Sequence, residues 1–223
     1  MWRGSLMNNL KKLYNEKVVA AAMEKFGVKS PLAVPRMEKV VLNIGTGNTG
    51  DEKAIELREQ TLQRITGQKP VRTTARMSIS NFKIRAGMTV GLMVTLRGER
   101  MYDFIEKLIN ITFPRVRDFR GIRPESIDKQ GNLNLGIREH NAFPEINFDE
   151  IERLHGLEIS VHMTGNSKEK SEYVLRALGF PFAEAGTVAK KGSNLDSELS
   201  PKAAAEAAKQ RAKEEKAKAL NKE

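Results

Sequence analysis

The strand-like runs of this chain alternate, and that fixes the kind of sheet it can build. "NLNLGIRE" (132–139) sets polar against apolar residues with the period of a strand that is wet on one face and buried on the other. "RMEKVVLNIG" (36–45) is β-branched in its middle and stops at Gly45, "TVGLMVTLRG" (89–98) alternates around Val94 and Leu96, and "GLEISVHMTG" (156–165) and the short "KPVRTTAR" (69–76) are further strands. None has the continuous apolar run of a parallel strand buried on both faces. Amphipathic helices lie between them. "NNLKKLYNEKVVAAAMEKFG" repeats Leu10, Leu13, Tyr14 and Val18 at helical spacing and meets a stop at Gly27. "DEKAIELREQTLQRITG" has acids in its first turn, favourable to the helix dipole, and Gly67 past its end. "ERMYDFIEKLINITF" carries Met101, Phe104, Ile105, Leu108 and Ile111, and "SKEKSEYVLRALGF" closes the series, while Pro31 and Pro35 make "SPLAVPR" an extended connector. Half-buried strands interleaved with such helices predict an α+β fold: an antiparallel or mixed sheet, helices packed on one face, and an open face where a partner can dock.

Charge indicates the kind of partner. The 223 residues hold 38 Lys+Arg against 28 Asp+Glu, a formal net charge of +10, which favours a polyanion. The surplus is not spread evenly. From Gln60 to Gly98 there is no Asp or Glu, while Arg64, Lys69, Arg72, Arg76, Lys83, Arg85 and Arg97 are cationic. Thr73, Thr74, Ser78, Ser80 and Asn81 in the same stretch supply hydrogen bonds suited to sugar and phosphate. Residues 77–88, between two strands, are too long for a tight turn and too cationic to pack inside, so they should project as a loop. A second crowd, "FPRVRDFRGIRPES", sets Arg115, Arg117, Arg120 and Arg123 among Phe113 and Phe119. Arginine suits bidentate phosphate contact, and the phenylalanines suit RNA or a core equally; alternatively the arginines cap a helix end and one pairs with Asp118.

Several classes lose support. The chain has no cysteine, hence no disulfide, thiolate metal site or cysteine nucleophile, as fits a reducing cytosol. "MWRGSLMNNL" lacks the apolar core of a signal peptide, and Met7 could be the working start. The longest apolar run, Val18 to Met23, is too short for a bilayer. His140, His155 and His162 are scattered without metal-ligand spacing. Gly45, Gly47 and Gly50 spell the GxGxxG of a dinucleotide site, which keeps a nucleotide-dependent oxidoreductase as an alternative. Against it, Asp51 and Glu52 stand where a pyrophosphate needs positive field, and no acid closes the next strand to hold a ribose. A basic adaptor without RNA specificity is the other alternative. No small-molecule cofactor or metal is expected.

Five blocks in order, "VPRMEKVVLNIGTG", "TGQKPVRTTARMSISNFKIRAG", "VTLRGERMYDFIEKLINITFPRVRDFRG", "GNLNLGIREHNAFPEI" and "LRALGFPF", resemble the bacterial large-subunit ribosomal protein family that binds 5S rRNA, the fifth in the standard naming. The resemblance runs from about Leu10 to Phe182. It implies a non-enzymatic protein of the cytoplasmic ribosome, in the central protuberance of the large subunit. Its partners would be 5S rRNA, large-subunit rRNA, neighbouring ribosomal proteins, the P-site tRNA and a protein of the small-subunit head. Asn43, Gln68 and Thr95 match family positions that face 5S rRNA, with Lys69, Arg72 and Arg97 similar in role. The loop with Arg76, Ser78, Ser80, Asn81, Lys83 and Arg85 matches the one that reaches the tRNA elbow. Arg115, Arg117 and Arg120 match a region of the intersubunit bridge. Met77 and Asn81 depart from the Lys and Gly common in the family. Residues 1–182 are expected to form this domain. Residues 183–223 are expected to form a flexible Ala/Lys/Glu-rich tail, with 9 cations against 7 acids.

Overall fold

The computed structural model describes residues 9–47, 52–146 and 154–183. Helix α1 (Asn9–Leu13) passes through a π-helical turn, Tyr14–Val18, into α2 (Val19–Phe26). Leu10, Tyr14, Val18 and Ala22 are all buried, and they stand four apart. On an ideal α-helix that spacing drifts about 40° per step, so a wider turn in mid-helix returns the row toward the core. The Tyr14 hydroxyl donates to the Pro35 carbonyl at 3.0 Å, which ties the helix to the chain entering the sheet. Gly27, at φ 61°, ends α2 with its N–H on the Met23 carbonyl.

After a short 3-10 turn, Pro31–Ala33, the chain enters β1 (Met37–Gly45); α3 (Glu52–Thr66), β2 (Val71–Thr74) and β3 (Thr89–Leu96) follow. Next, α4 (Gly98–Lys107) continues through a second π-helical turn, Leu108–Thr112, into the single turn α5 (Phe113–Arg115). The last elements are β4 (Leu133–Ile137), β5 (Leu157–Met163) and α6 (Lys168–Ala177). The five strands form one sheet in the order β2-β3-β1-β5-β4, every pairing antiparallel.

Alternation decides which side of the sheet is covered. Val40, Leu42 and Ile44 of β1, Leu92, Val94 and Leu96 of β3, Leu133, Leu135 and Ile137 of β4, and Leu157, Ile159 and Val161 of β5 are buried. They share one core with Leu62 and Ile65 of α3, Met101, Phe104 and Ile105 of α4, and Val174 and Leu175 of α6. Phe143, fully buried, stacks on Phe104 with ring centres 6.4 Å apart. Between these positions Lys39, Val41 and Asn43, Met93 and Thr95, Asn134 and Gly136, and Glu158, Ser160 and His162 are half-buried or exposed. They make the opposite, open face. The predicted α+β architecture, with helices on one side of an antiparallel sheet, is therefore the one the chain adopts.

Toward the end of the described body, Ile122 and Phe182 form a parallel bridge. The Ile122 N–H donates to the Pro181 carbonyl at 2.7 Å, and the Ala183 N–H donates to the Ile122 carbonyl at 2.9 Å. Ala183 is buried there. The tail from residue 184 on lies outside the described residues.

Candidate nucleic-acid interface

The register places the candidate residues of the open face. Asn43 on β1 is opposite Met93 on β3 and Glu158 on β5; Val41 is opposite Thr95 and Ser160. Asn43 and Thr95 are therefore diagonal neighbours on adjacent strands, brought together on the uncovered side. Because Val71 pairs with Met93 and Arg72 with Leu92, the chain before β2 runs toward the Thr95 end of β3. Gln68 and Lys69 lie in that approach. The Thr66 hydroxyl donates to the Leu62 carbonyl at 2.7 Å and accepts the Gln68 N–H at 3.3 Å, which fixes the bend out of α3. Lys69 is exposed. Arg97 occupies the N-cap position of α4 without a side-chain capping hydrogen bond and stands 3.6 Å from Glu38, both side chains largely solvated. Such an exposed pair is weak and leaves Arg97 able to exchange partners.

Arg72 is placed apart from the others. Its register partner, Leu92, is a core residue, and its guanidinium is held by Glu52 at 2.6 Å and Glu59 at 2.9 Å, both on α3. Those hydrogen bonds raise its pKa above the ordinary arginine value. Arg72 thus lies on the helix side of β2, while Val71, 61% exposed, lies on the open side. A one-residue change of parity moves a side chain through the sheet.

Residues 75–88 form a braced finger. Ala75 and Met88 are joined by an N–H···O bond of 2.8 Å at the base, and Ile79 and Ile84 exchange two, of 2.9 and 3.1 Å, near the tip. A 3-10 turn, Ser80–Phe82, ends at Lys83 in the left-handed region. The Ser78 hydroxyl accepts the Ala86 N–H at 2.9 Å, so this serine holds the finger's shape as well as facing solvent. Arg76, Ser78, Ser80, Asn81, Lys83 and Arg85 are all exposed. Met77 and Phe82, within the stretch expected to project, are also exposed, at 73% and 65%.

The arginine crowd sits elsewhere, around α5 and the loop after it. Phe113 is buried and Phe119 stacks on it at 5.0 Å, so the aromatic pair belongs to the core and its edge. Arg115, Arg117, Arg120 and Arg123 are exposed around it. Among the described residues none of the ion pairs involves Asp118.

The histidines are not all scattered. His140 and His155 stack with ring centres 3.8 Å apart, and the His155 N–H donates to His140 Nδ1 at 3.2 Å. Burial lowers the His140 pKa, with the His155 backbone hydrogen bond opposing it, so the neutral ring is favoured. His162 is on the open face opposite Lys39. Among the described residues no group of His, Asp and Glu could hold a metal. No helix among them is long and apolar enough to cross a membrane. Of the glycine motif, Gly45 ends β1 and Gly47 has φ 60°, while Gly50 and Asp51 fall outside the described residues. Glu52, at the start of α3, is engaged by Arg72.

Comparison with known proteins gives this arrangement its family. Residues 30–85 match the model of "Ribosomal protein L5", and residues 89–182 match the model of the C-terminus of the same ribosomal family. The chain is 49% identical over 179 residues to the large ribosomal subunit protein uL5 of Alkaliphilus oremlandii, covering 80% of this chain and 100% of the relative. It is 50% identical over the same length, with the same coverage, to the uL5 proteins of Caldanaerobacter subterraneus and a Thermoanaerobacter species. The chain belongs to the ribosomal protein L5 family. As an L5 protein it is a component of the large ribosomal subunit, with ribosomal RNA and ribosomal proteins as partners, and it is not an enzyme. The oxidoreductase alternative drops out.

Proposed function

We propose that the open face of the sheet binds 5S rRNA and helps to seat it in the central protuberance. The observation that carries this is the diagonal juxtaposition of Asn43 and Thr95 on the uncovered side of the sheet in an L5-family chain. Amide and hydroxyl groups there offer hydrogen bonds to sugar, phosphate and base. Gln68, Lys69 and Arg97 approach the same side from the ends of the strands. Lys69, Arg97 and Lys39 supply the cationic rim, so affinity should fall steeply with salt as counterions are released. Arg72 contributes to this surface indirectly, by fixing β2 to α3.

The finger, with Arg76, Asn81, Lys83 and Arg85 exposed and Ser78 and Ser80 in its frame, reaches the elbow of the P-site tRNA in this proposal. Arg115, Arg117 and Arg120, exposed on a separate loop, meet a protein of the small-subunit head. Both assignments are supported by exposure, charge and the likeness to the family blocks quoted above.

The test uses two variants. Asn43→Ala combined with Thr95→Ala should weaken 5S rRNA binding by about 1–3 kcal/mol, the magnitude for lost buried hydrogen bonds. Lys83→Ala with Arg85→Ala should leave 5S binding intact and weaken tRNA or subunit association. Wild-type affinity in the first double variant would remove the open face from the site. Collapse of 5S binding in the second would place the finger in the 5S site instead.

A further inference from the structure

The open face carries a carboxylate where a phosphate-binding surface should avoid one. Glu158 lies on β5 opposite Asn43, in the same cross-strand row as Gly136, Met93 and Val71. It is exposed, and no ion pair among the described residues involves it. Its one hydrogen-bond partner among them is Asn43, whose Nδ2 donates to Glu158 Oε2 over a long 3.4 Å.

That contact orients the amide. With Nδ2 turned toward Glu158, the Asn43 Oδ1 lies on the β3 side, 3.7 Å from where a Cβ on Gly91 would stand. The row then presents acceptors: the free Glu158 oxygen and Asn43 Oδ1. Acceptors repel phosphate and call for N–H or O–H donors. Beyond Glu158, an added Cβ on Gly136 would meet nothing within 4 Å, so a flat group can reach the row from that side without a side chain in the way.

We propose that Glu158 is a base-reading residue: its carboxylate accepts from the N–H edge of an unpaired RNA base, with Asn43 alongside. Guanine fits best, because its N1–H and N2 amino group lie side by side as a carboxylate requires. Phosphates are left to the rim, where Lys39, Lys69 and Arg97 stand. The inference rests on the 5S-binding reading above and adds to it a specificity determinant that charge alone would disfavour.

The experiment turns on a sign. If Glu158 were only an exposed acid, Glu158→Gln would remove a repulsion and tighten binding to any RNA. A base reader behaves the opposite way. The variant should lose roughly tenfold in preference for 5S rRNA over an unrelated RNA of equal length, with an unchanged slope of log affinity against log salt. The substitution is isosteric and exposed, so a thermal melt should match wild type. Treating the RNA with kethoxal, which blocks N1 and N2 of unpaired guanines, should exclude molecules modified at a discrete guanine from the wild-type complex. The variant should lose that discrimination. Equal or tighter 5S binding by Glu158→Gln, or no guanine interference with wild type, would overturn the proposal. A wild-type protein without preference for 5S rRNA would overturn the underlying reading instead, and this inference with it.

Discussion

Adjacent positions on a strand face opposite sides of the sheet, and Arg72 and Glu158 show what that parity does to a charge. Arg72 reaches two carboxylates of α3, Glu52 and Glu59, on the covered side. Its replacement by Ala should lower the melting temperature, more at low salt than at high, because the bridges are partly solvated. The same variant should leave 5S affinity nearly as in wild type; a loss comparable to that of the Asn43 and Thr95 variant would put Arg72 on the RNA. Asn43 and Thr95 could be placed from the sequence, since each is flanked by apolar residues that must point inward. Arg72 could not: the short edge strand β2 carries no burial alternation that fixes its parity, and in it Val71 is 61% exposed while Arg72 turns to the helix side. The usable signal was on α3, where Glu52 and Glu59 are seven apart and so share a helix face. Glu158 was legible in principle from the alternation of "GLEISVHM", but its meaning depends on Asn43 being its register partner.

Elements were legible where period and punctuation agreed. Gly27 and Gly67 end their helices at φ 61° and 66°, as their positions past the apolar repeat suggest. The two π-helical turns, Tyr14–Val18 and Leu108–Thr112, were not legible, since a four-residue spacing reads as helix whichever turn carries it. The first turn has a consequence that can be measured. Burial, and then the neighbouring Tyr102, push the Tyr14 hydroxyl up to about 12, while Arg36 pulls it back. An unfolded tyrosine titrates near 10. The stabilisation from neutral Tyr14 is therefore complete below about pH 10 and is lost as pH rises toward 12. Denaturant melts between pH 8 and pH 12 should show falling stability over that window, with a shallower fall in Tyr14→Phe; identical slopes would contradict the placement. A second test concerns the end of the described body. Gly121 has φ 92°, and a Cβ there would stand 2.7 Å from the Ala183 nitrogen. Gly121→Ala should destabilise by more than about 1 kcal/mol and speed amide exchange at Ile122 and Ala183, whereas unchanged exchange would show that this bridge yields without cost.

For the whole molecule, the acid-free run from Gln60 to Gly98 resolves into three placements. It begins in the C-terminal half of α3 and the bend at Gln68, crosses β2 and the finger, and returns along β3 beneath the open face. Carboxylates from outside the run then enter at chosen points: Glu52 and Glu59 hold Arg72, Glu38 lies beside Arg97, and Glu158 stands next to Asn43. In the proposed reading the formal net charge of +10 drives encounter with RNA, and of these acids Glu158 shapes what is recognised. Specific recognition by the open face is the central claim. Its most direct test is a titration of the protein against 5S rRNA, with an equal length of unrelated RNA as competitor, at several salt concentrations. The account predicts binding that weakens with salt yet survives excess competitor at each concentration. Binding that competitor erases would contradict it and leave a basic surface without preference for 5S rRNA.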